Sequence, residues 1–206
     1  MGTEAKVKRP RGIATQNKLV AAAIEALIED GYVGATTTNI VARAGVSQGA
    51  LFKHFSSKND LLAAALTGLF AGLRQEFREE MAERRHEDRL AAGLRLFWQL
   101  CHSPRLPAAF ELYLAARTDE ELASRIRHVL VAHRAAVTEQ AISVFPEEIQ
   151  AHPDLGAVVV GMINMVQGGA MVSSVIPSAE ADADGLATVE RFIRCEVARL
   201  VGASES

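Results

Sequence analysis

Apolar residues in this chain recur at steps of three and four, and no stretch alternates with period two long enough to make a strand. That periodicity restricts the chain to packed helices. Over residues 15–30 it puts Leu19, Val20, Ala23, Ile24, Leu27 and Ile28 on one stripe, with Thr15 as the N-cap and Gly31 as a left-handed terminal residue. Over residues 57–77 it predicts a second long helix capped by Ser57, with Asp60 in its first turn favoured by the helix dipole and Leu62, Leu66, Leu69, Leu73 and Phe77 on one face. The following REEMAERRHEDR alternates in charge, as a linker or an exposed helix end would. Further helices are predicted at 90–102, 106–116, 119–145, 154–175 and 183–201, with Pro104, Pro107, Pro146, Pro153 and Pro177 between them and SAEADADG as an acidic loop.

A core this helical needs few aromatics, and they are 5% of the 206 residues, against 49% apolar residues in all. The net charge of −3 selects no partner, but its distribution does. Residues 1–62 carry eight Lys and Arg against five Asp and Glu, whereas the remaining 144 carry 14 against 20. A basic end on an acidic body points to a polyanion at one end only. Lys6, Lys8, Arg9 and Arg11 form a short basic arm that is either a solvated tail or a DNA contact. The N-terminus has no apolar signal segment, and Cys101 and Cys195 form neither a disulfide framework nor a metal spacing, so a reducing cytoplasm is expected.

Residues 36–55, TTTNIVARAGVSQGALFKHF, hold two helices too short to stand alone. Thr37 or Thr38 can cap the first, Gly45 ends it in a left-handed turn, Val46 packs back, and Ser47 caps the second. A pair crossing through so tight a turn is a helix-turn-helix, whose second helix is narrow enough to enter a major groove.

The longer run GYVGATTTNIVARAGVSQGALFKHFSSKNDLL, with an amphipathic helix on either side, resembles the N-terminal domain of the tetracycline-repressor-like (TetR) family of transcription regulators over roughly the first 70 residues. Valine at position 41 and Phe52 depart from the family's usual alanine and tyrosine, and Phe52 has no hydroxyl to offer a phosphate. The resemblance implies a three-helix DNA-binding domain over 13–73, with its helix-turn-helix at 36–55. It also implies a helical effector-binding and dimerisation domain over 74–206, about nine helices in all.

Residue by residue, the resemblance puts Thr36, Thr37 and Thr38 at the start of the positioning helix, facing phosphate. Ser47, Gln48, Gly49 and Ala50 open the recognition helix. Gln48 is its base reader through a bidentate amide–adenine pair, and Ala50 can touch a thymine methyl. Phe52 lies beside them, and Lys53, His54 and Lys58 suit phosphates, the alternative for each being a solvated surface group.

In the body, residues 155–176 contain no charge. Their length would permit a membrane span, but Asn164, Gln167, Ser173, Ser174 and four glycines argue against it. A helix apolar all round is buried all round. A homodimer interface shared with the 183–201 helix provides that burial. Phe97, Trp98, Phe110, Tyr113, Met162 and Met165 are candidate lining for an effector pocket, with His102, His133 and Asn164 as polar anchors; an ordinary core accounts for each as well. No HExxH, GxSxG, phosphate loop or compact carboxylate pair occurs, so no catalytic residue, metal or cofactor is expected. The expected function is a cytoplasmic, homodimeric repressor that binds a palindromic double-stranded operator and responds to a small, largely apolar effector. The alternative is a helical enzyme or carrier for a hydrophobic molecule, with a vestigial DNA-binding module.

Overall fold

The computed structural model describes residues 10–84 and 88–204. They form α1 (Pro10–Gly34), α2 (Thr37–Ala44), α3 (Gln48–His54), α4 (Lys58–Glu83), α5 (Arg89–Cys101), α6 (Arg105–Ala116), α7 (Glu120–Ile142), a 3-10 turn at Glu147–Ile149, α8 (Leu155–Ser173) and α9 (Ala179–Ser204). No strand occurs among the described residues, so the all-α expectation holds. Lys6, Lys8 and Arg9 of the basic arm, and residues 85–87 of the charged stretch, lie outside them.

The chain divides into two compact units. One runs to Leu69 and adds Ala108–Val129; the other comprises Phe70–Pro107 and everything from Leu130 onward. In the first, Leu19, Ala22, Ala23, Ala26 and Leu27 form the buried stripe of α1, and both α2 and α3 pack on that helix. Ile40 of α2 and Leu51 of α3 are fully buried. Each such side chain contributes about 1.5–3 kcal/mol, which is how helices of eight and seven residues persist. In the second unit, α8 packs on α5 and α9. Its buried face, Leu155, Val158, Val159, Met162, Ile163, Val166 and Ala170, follows steps of three and four.

Several boundaries differ from the sequence expectation. Thr15 is not an N-cap: α1 begins five residues earlier, at Pro10, where the ring fixes φ for a first helical residue and the missing N–H costs nothing. Arg11 consequently lies in the first turn of α1. The cap of α2 is Thr36, not Thr37 or Thr38; its extended backbone lets Oγ1 accept the Asn39 N–H at 3.2 Å. Pro107 sits inside the first turn of α6, a tolerated place, instead of between helices. SAEADADG is not a loop but the opening of α9: Ser178 Oγ accepts the Ala181 N–H at 3.2 Å, and Glu180 and Asp182 suit the positive end of the helix. Ser57 does cap α4, accepting the Asp60 N–H at 3.1 Å.

The uncharged α8 is not buried on all sides within one chain. Its far side carries Asn164, Met165, Met171 and Val172, all exposed, and Val175 and Ile176 beyond its end are 80% and 68% exposed. By length and composition α8 is apolar enough to cross a bilayer.

Candidate functional site

The helix-turn-helix is built around Gly45. Its backbone (φ 63°, ψ 37°) is left-handed, and its N–H and that of Val46 return to the carbonyls of Ala42 and Val41 at 3.2 and 3.1 Å. Val46, half-buried, follows, and Ser47 Oγ accepts the Ala50 N–H at 3.2 Å to start α3. Leu51 turns inward, which sends Ser47, Gln48, Gly49, Phe52 and Lys53 outward; Ala50 and His54 are half-buried. Phe52 is 52% exposed, a large apolar surface for a water-facing site. Thr36 and Thr38 are exposed at the start of α2 and Thr37 is half-buried. Gln48 Nε2 donates to Thr38 Oγ1 at 3.2 Å, joining the starts of the two helices.

Two further features hold this surface in place, the first of them not anticipated from the sequence. Arg43 reaches from α2 to α1 and pairs with Glu29 and Asp30, both at 2.6 Å, while its Nε donates to Asn39 Oδ1 at 3.1 Å. Asn39 in turn donates to Asp30 Oδ2 at 2.7 Å and to the Gly34 carbonyl at 3.0 Å. The signal was present: Asn39 and Arg43 are four apart on a helix, opposite the acidic pair Glu29–Asp30. The second feature is the break in α1 at Gly31 (φ 68°, ψ −178°). The positive φ was expected, but ψ is extended, so the backbone turns instead of closing a cap. A Glu111 carboxylate oxygen accepts the Tyr32 N–H there, and the positive φ is what favours glycine at position 31.

Lys58 is drawn into the same corner. Its ammonium lies 4.8 Å from the centre of the Tyr32 ring and 3.5 Å from the Tyr32 carbonyl, and burial lowers its pKa. Lys53, exposed, therefore stands closer to solvent than the half-buried Lys58 does.

The second unit contains an apolar cavity of about 60 Å³ lined by residues of α4, α5, α7 and α8. Of the sequence candidates it brings together Phe97, His133 and Met162. The remaining candidates lie elsewhere. Trp98 stacks on His102 at 4.4 Å and packs against Gly185. His102 Nδ1 faces the Trp98 carbonyl at 2.8 Å and its Nε2 lies 3.7 Å from Asp182. Phe110 and Tyr113 pair with each other in the first unit at 5.5 Å, and burial pushes the Tyr113 hydroxyl up to about 12. Asn164 and Met165 face outward because α8 turns its 162–163–166 side inward.

Arg74, Cys101, Gln140 and Gln167 also line the cavity, and sequence reading had named none of them as ligands. Arg74 follows Phe70 by four and precedes Phe77 by three, a cation in an apolar stripe. Phe70 stacks flat on His133, centroids 3.6 Å apart. Arg74 Nη1 lies 3.0 Å from His133 Nδ1; since arginine only donates, Nδ1 accepts and the imidazole is neutral. Burial, with the Arg74 charge second, lowers the His133 pKa to about 4. Burial likewise raises the Cys101 thiol to about 12, which keeps it protonated and inert.

Residues 19–65 match the family described as bacterial regulatory proteins, tetR family. An uncharacterized HTH-type transcriptional regulator of Mycobacterium tuberculosis is 32% identical over 184 residues, covering 86% of this chain and 92% of that one. This chain belongs to the tetR family. It is a DNA-binding transcriptional regulator with a TetR-type helix-turn-helix. The fold agrees with a TetR transcription regulator from Haloarcula marismortui (TM-score 0.66, 20% identity, 86% of this chain and 95% of that one). It agrees as well with the multidrug binding protein EbrR complexed with imidazole (TM-score 0.64, 17% identity, 86% and 93%).

Proposed function

We propose that this regulator is a homodimeric repressor acting in the cytoplasm, which holds a palindromic operator through α3 and releases it when a small, largely apolar effector enters the α4–α5–α7–α8 cavity. The observation that carries the reading is the presentation of α3. Ser47, Gln48 and Gly49 are exposed at the start of a helix whose other side is pinned by Leu51, while Arg43 ties its partner helix to α1. Residues 13–73 supply DNA reading, with Thr36, Thr37, Thr38, Lys53 and His54 as phosphate contacts, and residues 74–206 supply the effector site and the dimer contact.

The dimer is supported by the uncovered apolar side of α8, from Met165 to Ile176, together with Phe192 of α9, 38% exposed. The effector is supported by the cavity, whose volume is several times the roughly 10–15 Å³ that one water requires. In the two-state mechanism one state sets the recognition helices about 34–36 Å apart, and the effector favours another.

The test is reciprocity. An effector found by screening is titrated against free protein and against the protein–operator complex. Its affinity should fall on the complex by the same factor, roughly 5–150-fold, by which it weakens operator binding. Identical affinity in both would leave DNA binding intact and remove the switch.

A further inference from the structure

Resting on the reading of this cavity as the effector site, we infer that it takes a small amphiphilic organic acid, with Arg74 receiving the carboxylate and the apolar walls receiving its hydrocarbon body. Apart from the Gln167 amide and the Cys101 thiol, the cavity gathers its polar groups at one pole of a mainly hydrocarbon lining. Leu94, Phe97, Val137, Val144, Phe145 and Met162 offer no hydrogen bond. Arg74, His133 and Gln140 are the polar pole.

Charge decides what this pole accepts. Among the described residues lining the cavity, Arg74 is the one permanent charge, and no carboxylate pairs with it. The neighbouring acids are engaged elsewhere: Glu76 with Arg105 at 2.6 Å, Glu79 with Gln75. Arg78 adds a second positive charge rather than relief. His133 takes one Arg74 N–H, and the neutral ring contributes no countercharge. Gln140 donates its amide N–H to the Arg74 backbone carbonyl at 3.0 Å, so it holds the α4 backbone under the guanidinium without neutralising it. The remaining guanidinium donors meet no acceptor among the described residues. A cation beside an apolar enclosure gains most from a ligand that brings the missing charge, and the guanidinium fork matches a carboxylate with two parallel bonds. Arg78 lies outside the lining, and the single positive charge of the lining itself is balanced by a monoanion. An ammonium ligand would meet Arg74 as a like charge.

Three probes of equal carbon number test this: hexanoate, hexan-1-ol and hexylamine, titrated calorimetrically into the full chain, with operator release followed in parallel by fluorescence anisotropy. Hexanoate should bind at least about tenfold more tightly than hexan-1-ol, with hexylamine weakest. In Arg74→Met, hexanoate should fall to the level of the alcohol while the alcohol keeps its affinity. Arg74→Lys, which keeps the charge, should retain part of the preference and shows that position 74 tolerates substitution. Hexan-1-ol binding as tightly as hexanoate, an undiminished preference in Arg74→Met, or no binding of any probe overturns the inference. The wider reading is read separately. An alcohol that binds as tightly as hexanoate and releases operator ends the anion assignment and keeps the effector site, whereas hexanoate bound through Arg74 without operator release does the reverse.

Discussion

Gln48 is occupied in the free protein, since its amide donates to Thr38. A base contact must exchange that bond for an adenine edge, and the two-for-one bidentate geometry favours the exchange. Gln48→Ala should therefore cost about 1–3 kcal/mol of discrimination between operator and random duplex. Lys53→Ala should weaken both duplexes equally and reduce the salt slope by about one. Competition binding at several salt concentrations separates the two, and equal losses for Gln48→Ala would remove it from base reading. At Gly45 the space around a Cβ is open, so the cost of Gly45→Ala is backbone alone, about 1–2 kcal/mol by chemical denaturation. His133 gives a pH signature. Its pKa falls from 6.5 to about 4 in the folded protein, so between those values the unfolded chain holds a proton that the folded one does not. Its contribution is present above pH 6.5 and lost as pH falls towards 4. His133→Asn should flatten that part of the stability profile, and denaturation midpoints at pH 7 and pH 5 show whether it does.

The helices were legible because period and caps are local: Ser47, Ser57 and Gly45 play the roles their positions imply. What was not legible is which side of a helix meets what. In α8 almost any face looks apolar, so nothing local said that Met162 turns inward and Met165 outward. Aromatic content was equally uninformative: Phe97 lines the cavity, while its neighbour Trp98 packs on His102 and Gly185. Apart from His133, the cavity's polar members escaped notice because a lone Arg74 or Gln140 on a long helix looks like a solvated residue until its neighbours are known. At the same scale, the uncovered side of α8 carries a prediction about assembly. Val172→Glu places a charge on an exposed apolar position, 61% exposed within one chain, so the fold should survive it. In a dimer held by α8 and α9 the variant should run as a monomer by light scattering at micromolar concentration. A variant that stays as dimeric as the wild type would move the interface elsewhere.

For the whole molecule, the charge asymmetry and the run from Gly31 to Leu62 identified a DNA-reading module from sequence alone, because groove entry demands particular residue types at fixed positions. The cavity left no comparable trace, since it is defined by side chains brought together from α4, α5, α7 and α8. The most direct measurement is therefore on DNA. Duplexes selected by the protein from a random pool should converge on an inverted repeat. At physiological salt that sequence should bind on the order of 10³-fold or more tightly than a scrambled duplex. A pool that never converges, or equal affinity for the selected and scrambled duplexes, would contradict sequence reading through α3.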